Sequence, residues 1–204
     1  MKALVIGSGE FYFPYEIKEW FVIACDGGLD HCRAHNISPD RILGDFDSVS
    51  ADTFEFYKNS EKTVYPAKKD MTDLELGIRL AIELGAEEII VTGALSSTRF
   101  DHSLCNISLL LICLEKGIKA KIINENNEIF LLNDKCTLKK TDRFVSFLPV
   151  TSTVEGLTLK GFEYPLENFT LKQGTSLCVS NRIEDGIAEV SLKTGIIAVI
   201  VSKD

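Results

Sequence analysis

At 204 residues, 45% hydrophobic and 25% charged, the chain has room for one large domain or two small ones around a sizeable buried core. Its formal net charge of −8 argues against nucleic acid backbones and anionic membranes as bulk partners. No apolar run is long enough to span a bilayer and the start lacks the regions of a signal peptide, so a soluble, cytoplasmic protein is expected. Cys25, Cys32, Cys105, Cys113, Cys136 and Cys178 form no C-x-x-C pair and mostly sit in apolar pattern. They read as reduced core residues rather than a disulfide or zinc framework.

Lys2 to Ile6 reads as a buried strand running into Gly7-Ser8-Gly9. Tyr12 occupies the third glycine position, so the dinucleotide fingerprint fails, and no P-loop pattern occurs. The small residues after this strand still leave room for a phosphate or ribose. A second apolar strand, Phe21 to Cys25, leads into Asp26-Gly27-Gly28. Asp26 can meet a ribose hydroxyl, as acids at this place in α/β folds do, or cap a helix from Leu29 to His35. His31, His35 and His102 share no ligand spacing and read as surface or helix residues.

Arg41-Ile42-Leu43 is the next strand, and Gly44-Asp45-Phe46-Asp47-Ser48 follows it. Two carboxylates at i and i+2 suit a hard cation such as Mg²⁺, which takes oxygen ligands at about 2.0–2.1 Å. The same residue types also make an ordinary solvated turn. A helix from Ala51 to Asn59 and a strand over Thr63-Val64-Tyr65-Pro66 come next. Lys69-Asp70-Met71-Thr72-Asp73 opens a helix patterned by Leu74, Ile78 and Leu84. Asp70 and Asp73 can form a capping box or, three apart on one face, converge with Asp45 and Asp47.

Glu88 to Thr92 is a further strand. The loop beyond it carries Arg99-Phe100-Asp101-His102 into a long apolar helix. Arg99 can clamp a phosphate, and Asp101 can cap the helix, hold the arginine or bind a metal. Lys119 to Ile123 and Ile129 to Leu132 close a series of strands alternating with helices. The expected fold is α/β, with a mostly parallel, Rossmann-like sheet flanked by helices over residues 1–133. From about Asp134 short runs punctuated by glycine predict an all-β sandwich over 134–204: residues 144–148, 154–159, 169–171, 177–179, 188–192 and 196–201.

Asp26-Gly27-Gly28, Gly44-Asp45-Phe46-Asp47-Ser48, Lys69-Asp70-Met71-Thr72-Asp73-Leu74, Arg99-Phe100-Asp101-His102 with Asn106, and Ser180-Asn181 occur in one order. Together they resemble the thiamine pyrophosphokinase (thiamine diphosphokinase) family. The resemblance implies a nucleotide-binding α/β domain and a thiamine-binding β-sandwich, working as a homodimer with sites between subunits. It implies transfer of the pyrophosphoryl group of ATP to the hydroxyl of thiamine, with Mg²⁺ and release of AMP. Asp45, Asp47, Asp70 and Asp73 would hold the metal and the reacting groups. Thr72 and Arg99 would contact phosphate. Asp26, Gly27, Gly28, Lys69 and Asp101 would line the nucleotide region, and Ser180 and Asn181 would bond thiamine.

Phosphoryl-type transfer needs mainly positioning and charge neutralisation, which an acidic metal site supplies. The alcohol proton can go to Asp73 or Asp47. Two departures stand out: the family's Gly-Ala-x-Gly-Gly-Arg is here Gly93-Ala94-Leu95-Ser96-Ser97-Thr98-Arg99, and Arg182 follows Asn181 where bacterial members often carry Glu. The alternatives are a diphosphokinase acting on a pterin alcohol, or a thiamine- or nucleotide-binding sensor without turnover. Ser180-Asn181 favours thiamine, and four acids that repel one another without a metal argue against the sensor.

Overall fold

The computed structural model describes residues 1–60, 62–64, 70–96, 98–184 and 186–204, and the chain forms two compact units, Met1–Glu125 and Asn126–Asp204. Lys69, Ser97 and the Tyr65-Pro66 end of the fourth expected strand lie outside the described residues.

In the first unit the described residues form six parallel strands: β1 (Lys2–Ile6), β2 (Phe21–Cys25), β3 (Arg41–Gly44), β4 (Lys62–Val64), β5 (Glu88–Thr92) and β6 (Lys119–Ile123). Their order is β4-β3-β2-β1-β5-β6. The chain therefore steps outward from β1 to β4 and then returns to β1's other side with β5. Crossover helices α1 (Gly28–Ala34), α2 (Ala51–Phe56), α3 (Asp73–Glu83) and α4 (Phe100–Glu115) make the parallel connections possible. Helices α1 and α3 pack on β1 and β2, and α4 on β6. Covered strands must be apolar throughout rather than alternating, and Ala3, Leu4, Val5 and Ile6 are all fully buried. A buried leucine of this kind stabilises by about 1.5–3 kcal/mol over an exposed one.

Six cysteines are free, and Cys25, Cys32, Cys113 and Cys178 are buried. Burial pushes the Cys32 thiol up to about 12 and that of Cys113 up to about 11, so both stay protonated core groups. Cys105 departs from this pattern and is exposed on α4.

The second unit is a sandwich. Strands β7 (Asn127–Leu132), β13 (Ile197–Ser202) and β9 (Phe144–Pro149) pair antiparallel in the order β7-β13-β9. Strands β8 (Lys135–Lys139), β10 (Thr153–Lys160), β11 (Leu166–Lys172) and β12 (Ile187–Ser191) form a second antiparallel sheet, β11-β10-β12-β8. The two sheets share one core, in which Phe147, Val154, Leu157, Leu171, Val190 and Val199 are almost wholly buried.

Three details differ from the sequence reading. Strand β7 was expected to continue the parallel series, but it runs antiparallel to β13, Ile197 facing Leu132. Leu177-Cys178-Val179 is a turn rather than a strand: Val179 N–H bonds Ser176 O, and only Cys178 points inward. Strand β8 went unseen, because its alternation places Cys136 and Leu138 between lysines and a threonine, too weak a pattern to stand out.

Candidate active site

The site is built where β2 and β3 end side by side. Cys25 pairs with Leu43, and the Asp26 N–H donates to Leu43 O at 2.8 Å, so the residues that follow each strand emerge together. Gly44 makes this possible: at φ 145° it takes a conformation that side chains avoid, and a Cβ there would lie 3.1 Å from Asp26 Cα. Asp26 and Phe46 are themselves left-handed, at φ 47° and 63°. The Phe46 ring anchors its turn against Phe54, centroids 5.5 Å apart, and the Asp47 N–H closes it onto Asp45 Oδ1 at 3.3 Å. Carboxylate oxygens of Asp26, Asp45 and Asp47 consequently lie within 4.8 Å of one another.

Like charges this close raise one another's energy, and burial adds to the cost. Desolvation pushes the Asp26 carboxyl above its ordinary range; hydrogen bonds from Gly27 N–H and the Ser48 hydroxyl oppose this, and the charges of Asp73 and Asp47 reinforce it. Asp26 Oδ1 is buried without a hydrogen-bond partner. A bare carboxylate oxygen beside two more carboxylates is a hard-cation donor set, whereas soft metals would call for thiolates or imidazoles.

A cleft of about 260 Å³ opens here, lined by Asp26, Asp45, Thr72, Asp73, His102 and Asn106 among others. Asp73 enters it at the first residue of α3, and the N-cap of α3 is Thr72, whose Oγ1 accepts from Glu75 N–H at 3.2 Å. That corrects the capping box expected from Asp70 to Asp73. Threonine followed three residues later by Glu75 is the pair in use, so Asp70 precedes the helix, exposed, and shares no helix face with Asp73. Asp70 is not among the three clustered acids.

Gly27 and Gly28 also have packing work. Helix α1 begins against the end of β1, and a Cβ on Gly28 would sit 2.1 Å from Ile6 O. Asp26 does not cap that helix with its side chain; Gly27 is the N-cap position. The Gly7-Ser8-Gly9 segment is likewise held by Gly93 and Leu95: Gly7 Cβ would meet Gly93 O at 2.6 Å and Gly9 Cβ would meet Leu95 O at 2.4 Å. Its smallness serves loop-on-loop contact.

On the α4 side, Arg99 donates from Nε and a terminal nitrogen to both oxygens of Asp101, at 3.0 and 2.8 Å, and lies 2.6 Å from His102 Nε2. The guanidinium holds the Asp101 carboxyl well below the usual carboxylate range. Asp101 therefore grips the arginine and makes no cap, and Arg99 and Asp101 are exposed. One turn on, buried Asn106 donates to Ala94 O at 2.8 Å, and Ser103 Oγ accepts from Ser96 N–H at 2.9 Å. These two side chains hold the loop that lacks the glycine pair. The place of His102 on the cleft wall was missed, because only its position one turn from Asn106 on α4 hints at it.

In the second unit Ser180 is exposed and left-handed at φ 60°, its N–H bonded to Ser146 Oγ. Asn181 is buried. Its Oδ1 accepts from Tyr164 and Arg182 N–H, and its Nδ2 donates to Tyr164 O. The Arg182 guanidinium lies over the Phe144 ring at 4.2 Å.

Residues 15–122 match the family model described as "Thiamin pyrophosphokinase, catalytic domain", and residues 135–197 match "Thiamin pyrophosphokinase, vitamin B1 binding domain". The chain belongs to the thiamine pyrophosphokinase family. A relative from Bacillus subtilis (strain 168), thiamine pyrophosphokinase, is 34% identical over 190 residues, 89% of this chain and 87% of that one. The crystal structure of thiamine pyrophosphokinase from Bacillus subtilis superposes with a TM-score of 0.91 at 29% identity, covering 100% of both chains. That of thiamin pyrophosphokinase from Geobacillus thermodenitrificans gives 0.87 at 29% identity, over 100% of this chain and 98% of the other. Thiamine pyrophosphokinases are pyrophosphotransferases of thiamine diphosphate synthesis with ATP as co-substrate.

Proposed function

We propose that this chain transfers the pyrophosphoryl group of ATP to the hydroxyl of thiamine, giving thiamine diphosphate and AMP, with Mg²⁺ held by Asp26, Asp45 and Asp47. The observation that carries the metal assignment is the trio of carboxylate oxygens within 4.8 Å, and Asp26 also keeps a buried, unpartnered oxygen. Bound there, Mg²⁺ supplies charge neutralisation for the polyphosphate and a template for in-line displacement. The bond from the thiamine oxygen to the β-phosphorus forms as the bond from that phosphorus to the AMP oxygen breaks.

The side chains divide the remaining work. Asp73 lines the same cleft outside the trio, so it takes the hydroxyl proton. Thr72 accepts with its oxygen from Glu75, which leaves its hydroxyl hydrogen for a phosphate oxygen. Arg99 and Asp70, both exposed, act from the rim, the first toward phosphate and the second toward the cation. Nucleotide binding at the carboxyl edge of the sheet is the Rossmann-like arrangement, and the reversal of strand order between β1 and β5 supports it. In the β unit the Ser180 hydroxyl meets thiamine while Asn181 fixes the turn that carries it.

The enzyme in this reading is a cytoplasmic homodimer with sites at the subunit interface. Free cysteines support the compartment, and no helix among the described residues is long and apolar enough to cross a membrane. Phe100 and Leu104, 72% and 60% exposed on α4, suit a partner surface. The deciding experiment is AMP release with ATP, Mg²⁺ and thiamine, each omitted in turn. Release that requires all three supports the reading, whereas thiamine binding without AMP would leave a sensor.

A further inference from the structure

The three clustered carboxylates are oriented by very few donors. Asp45 Oδ1 receives the Asp47 N–H, and Asp26 receives the Gly27 N–H, both from backbone that side-chain chemistry cannot alter. Ser48 differs. Its Oγ donates to Asp47 Oδ1 at 2.9 Å, and its hydroxyl also favours the charged form of the Asp26 carboxylate. It is a side-chain donor to one member of the trio that also acts electrostatically on a second. Asp30 and Ser50, nearby in the chain, bond each other instead, at 2.6 Å.

A hydroxyl carries one hydrogen, so it serves one of the two carboxylates at a time. Since Asp26 already has the Gly27 N–H, Asp47 depends on Ser48 the more. Asp47 is also exposed and its side chain has little packing to set its rotamer. Holding one oxygen of a carboxylate fixes its plane and leaves the other oxygen for a ligand. Partners of this kind, which touch ligands rather than the ion, commonly change metal affinity by about 10–100-fold.

We propose that Ser48 is a positioning residue for the cation, bracing Asp47 through its hydroxyl so that the carboxylate oxygens of the trio converge. The inference rests on the cation reading above. The test measures Mn²⁺ binding to the full chain, without nucleotide, by electron paramagnetic resonance and calorimetry. Ser48→Ala weakens binding by about 10–100-fold, while Ser48→Thr, which keeps the hydroxyl, stays within about threefold of the parent. In the AMP assay the Mg²⁺ concentration for half-maximal rate rises by the same factor, and kcat at saturating Mg²⁺ changes by less than about threefold. A purely structural role would leave the half-maximal Mg²⁺ concentration where it was.

Ser48→Ala that binds Mn²⁺ as tightly as the parent overturns the positioning role and leaves the cation reading standing. A parent chain that binds no more Mn²⁺ than Asp45→Asn overturns the cation reading itself. Should the alanine variant not fold, Ser48→Cys carries the test, as its thiol is a weak donor of similar size; parent-like affinity there overturns the proposal too.

Discussion

Asp26 and Asn181 both carry buried polar atoms, yet these are treated in opposite ways. Asn181 in the β unit has its oxygen filled by two N–H groups and its amide donating to Tyr164 O, so it ties two turns together. Asp26 in the α/β unit keeps one buried oxygen bare and two more carboxylates beside it. A satisfied buried polar group is architecture, whereas an unsatisfied one next to like charges costs stability that a bound cation would offset. Arg99 and Asp101 lie between these extremes: the acid is fully paired, but on the surface.

The sharpest way to test this contrast is to remove charge from the cleft. Asp45→Asn and Asp73→Asn each lower the rate of AMP formation by about 10³-fold or more, with circular dichroism unchanged, because neither alters volume. An Asp73→Asn enzyme turning over at the parent rate would break the assignment of its role. On the other side, Asn181→Ala strands two N–H groups and a carbonyl, and chemical denaturation should show a loss of about 2–4 kcal/mol. Thiamine KM follows only as far as the Ser180 turn loosens. A stable alanine variant with greatly weakened thiamine binding would move Asn181 from architecture to ligand contact.

Asp26→Asn should have the reverse sign in stability. Because the folded protein raises this carboxyl, the metal-free chain loses stability as pH climbs from the ordinary carboxylate value through the raised one. Removing the charge lifts the metal-free melting temperature at neutral pH by roughly 2–4 °C and flattens that pH dependence. Cation affinity falls in the same variant, so stability and binding separate. The smallest effect belongs to Asp101→Asn: melting is unchanged and kcat/KM shifts by less than about threefold, mainly at low salt, since an exposed pair is screened.

Much of this was legible along the chain. Strands such as Lys2–Ile6 and Phe21–Cys25 announce themselves as unbroken apolar runs, because a strand covered on both faces needs no alternation. The spacing of Asp45 and Asp47 after a strand is local as well, and so is the alternation that yields parallel crossovers. What only the tertiary structure decided is which distant residues meet. Asp26 joins Asp45 and Asp47 because β2 and β3 are neighbours, while Asp70 stays outside because Thr72 took the helix cap. Whether Asp26 is bare and Asn181 filled depends on the folded neighbourhood: two of the three Asn181 bonds come from Tyr164, 17 residues away. Patterning reports which face a residue prefers; satisfaction of a polar atom is set by the three-dimensional neighbourhood, and no local period encodes it.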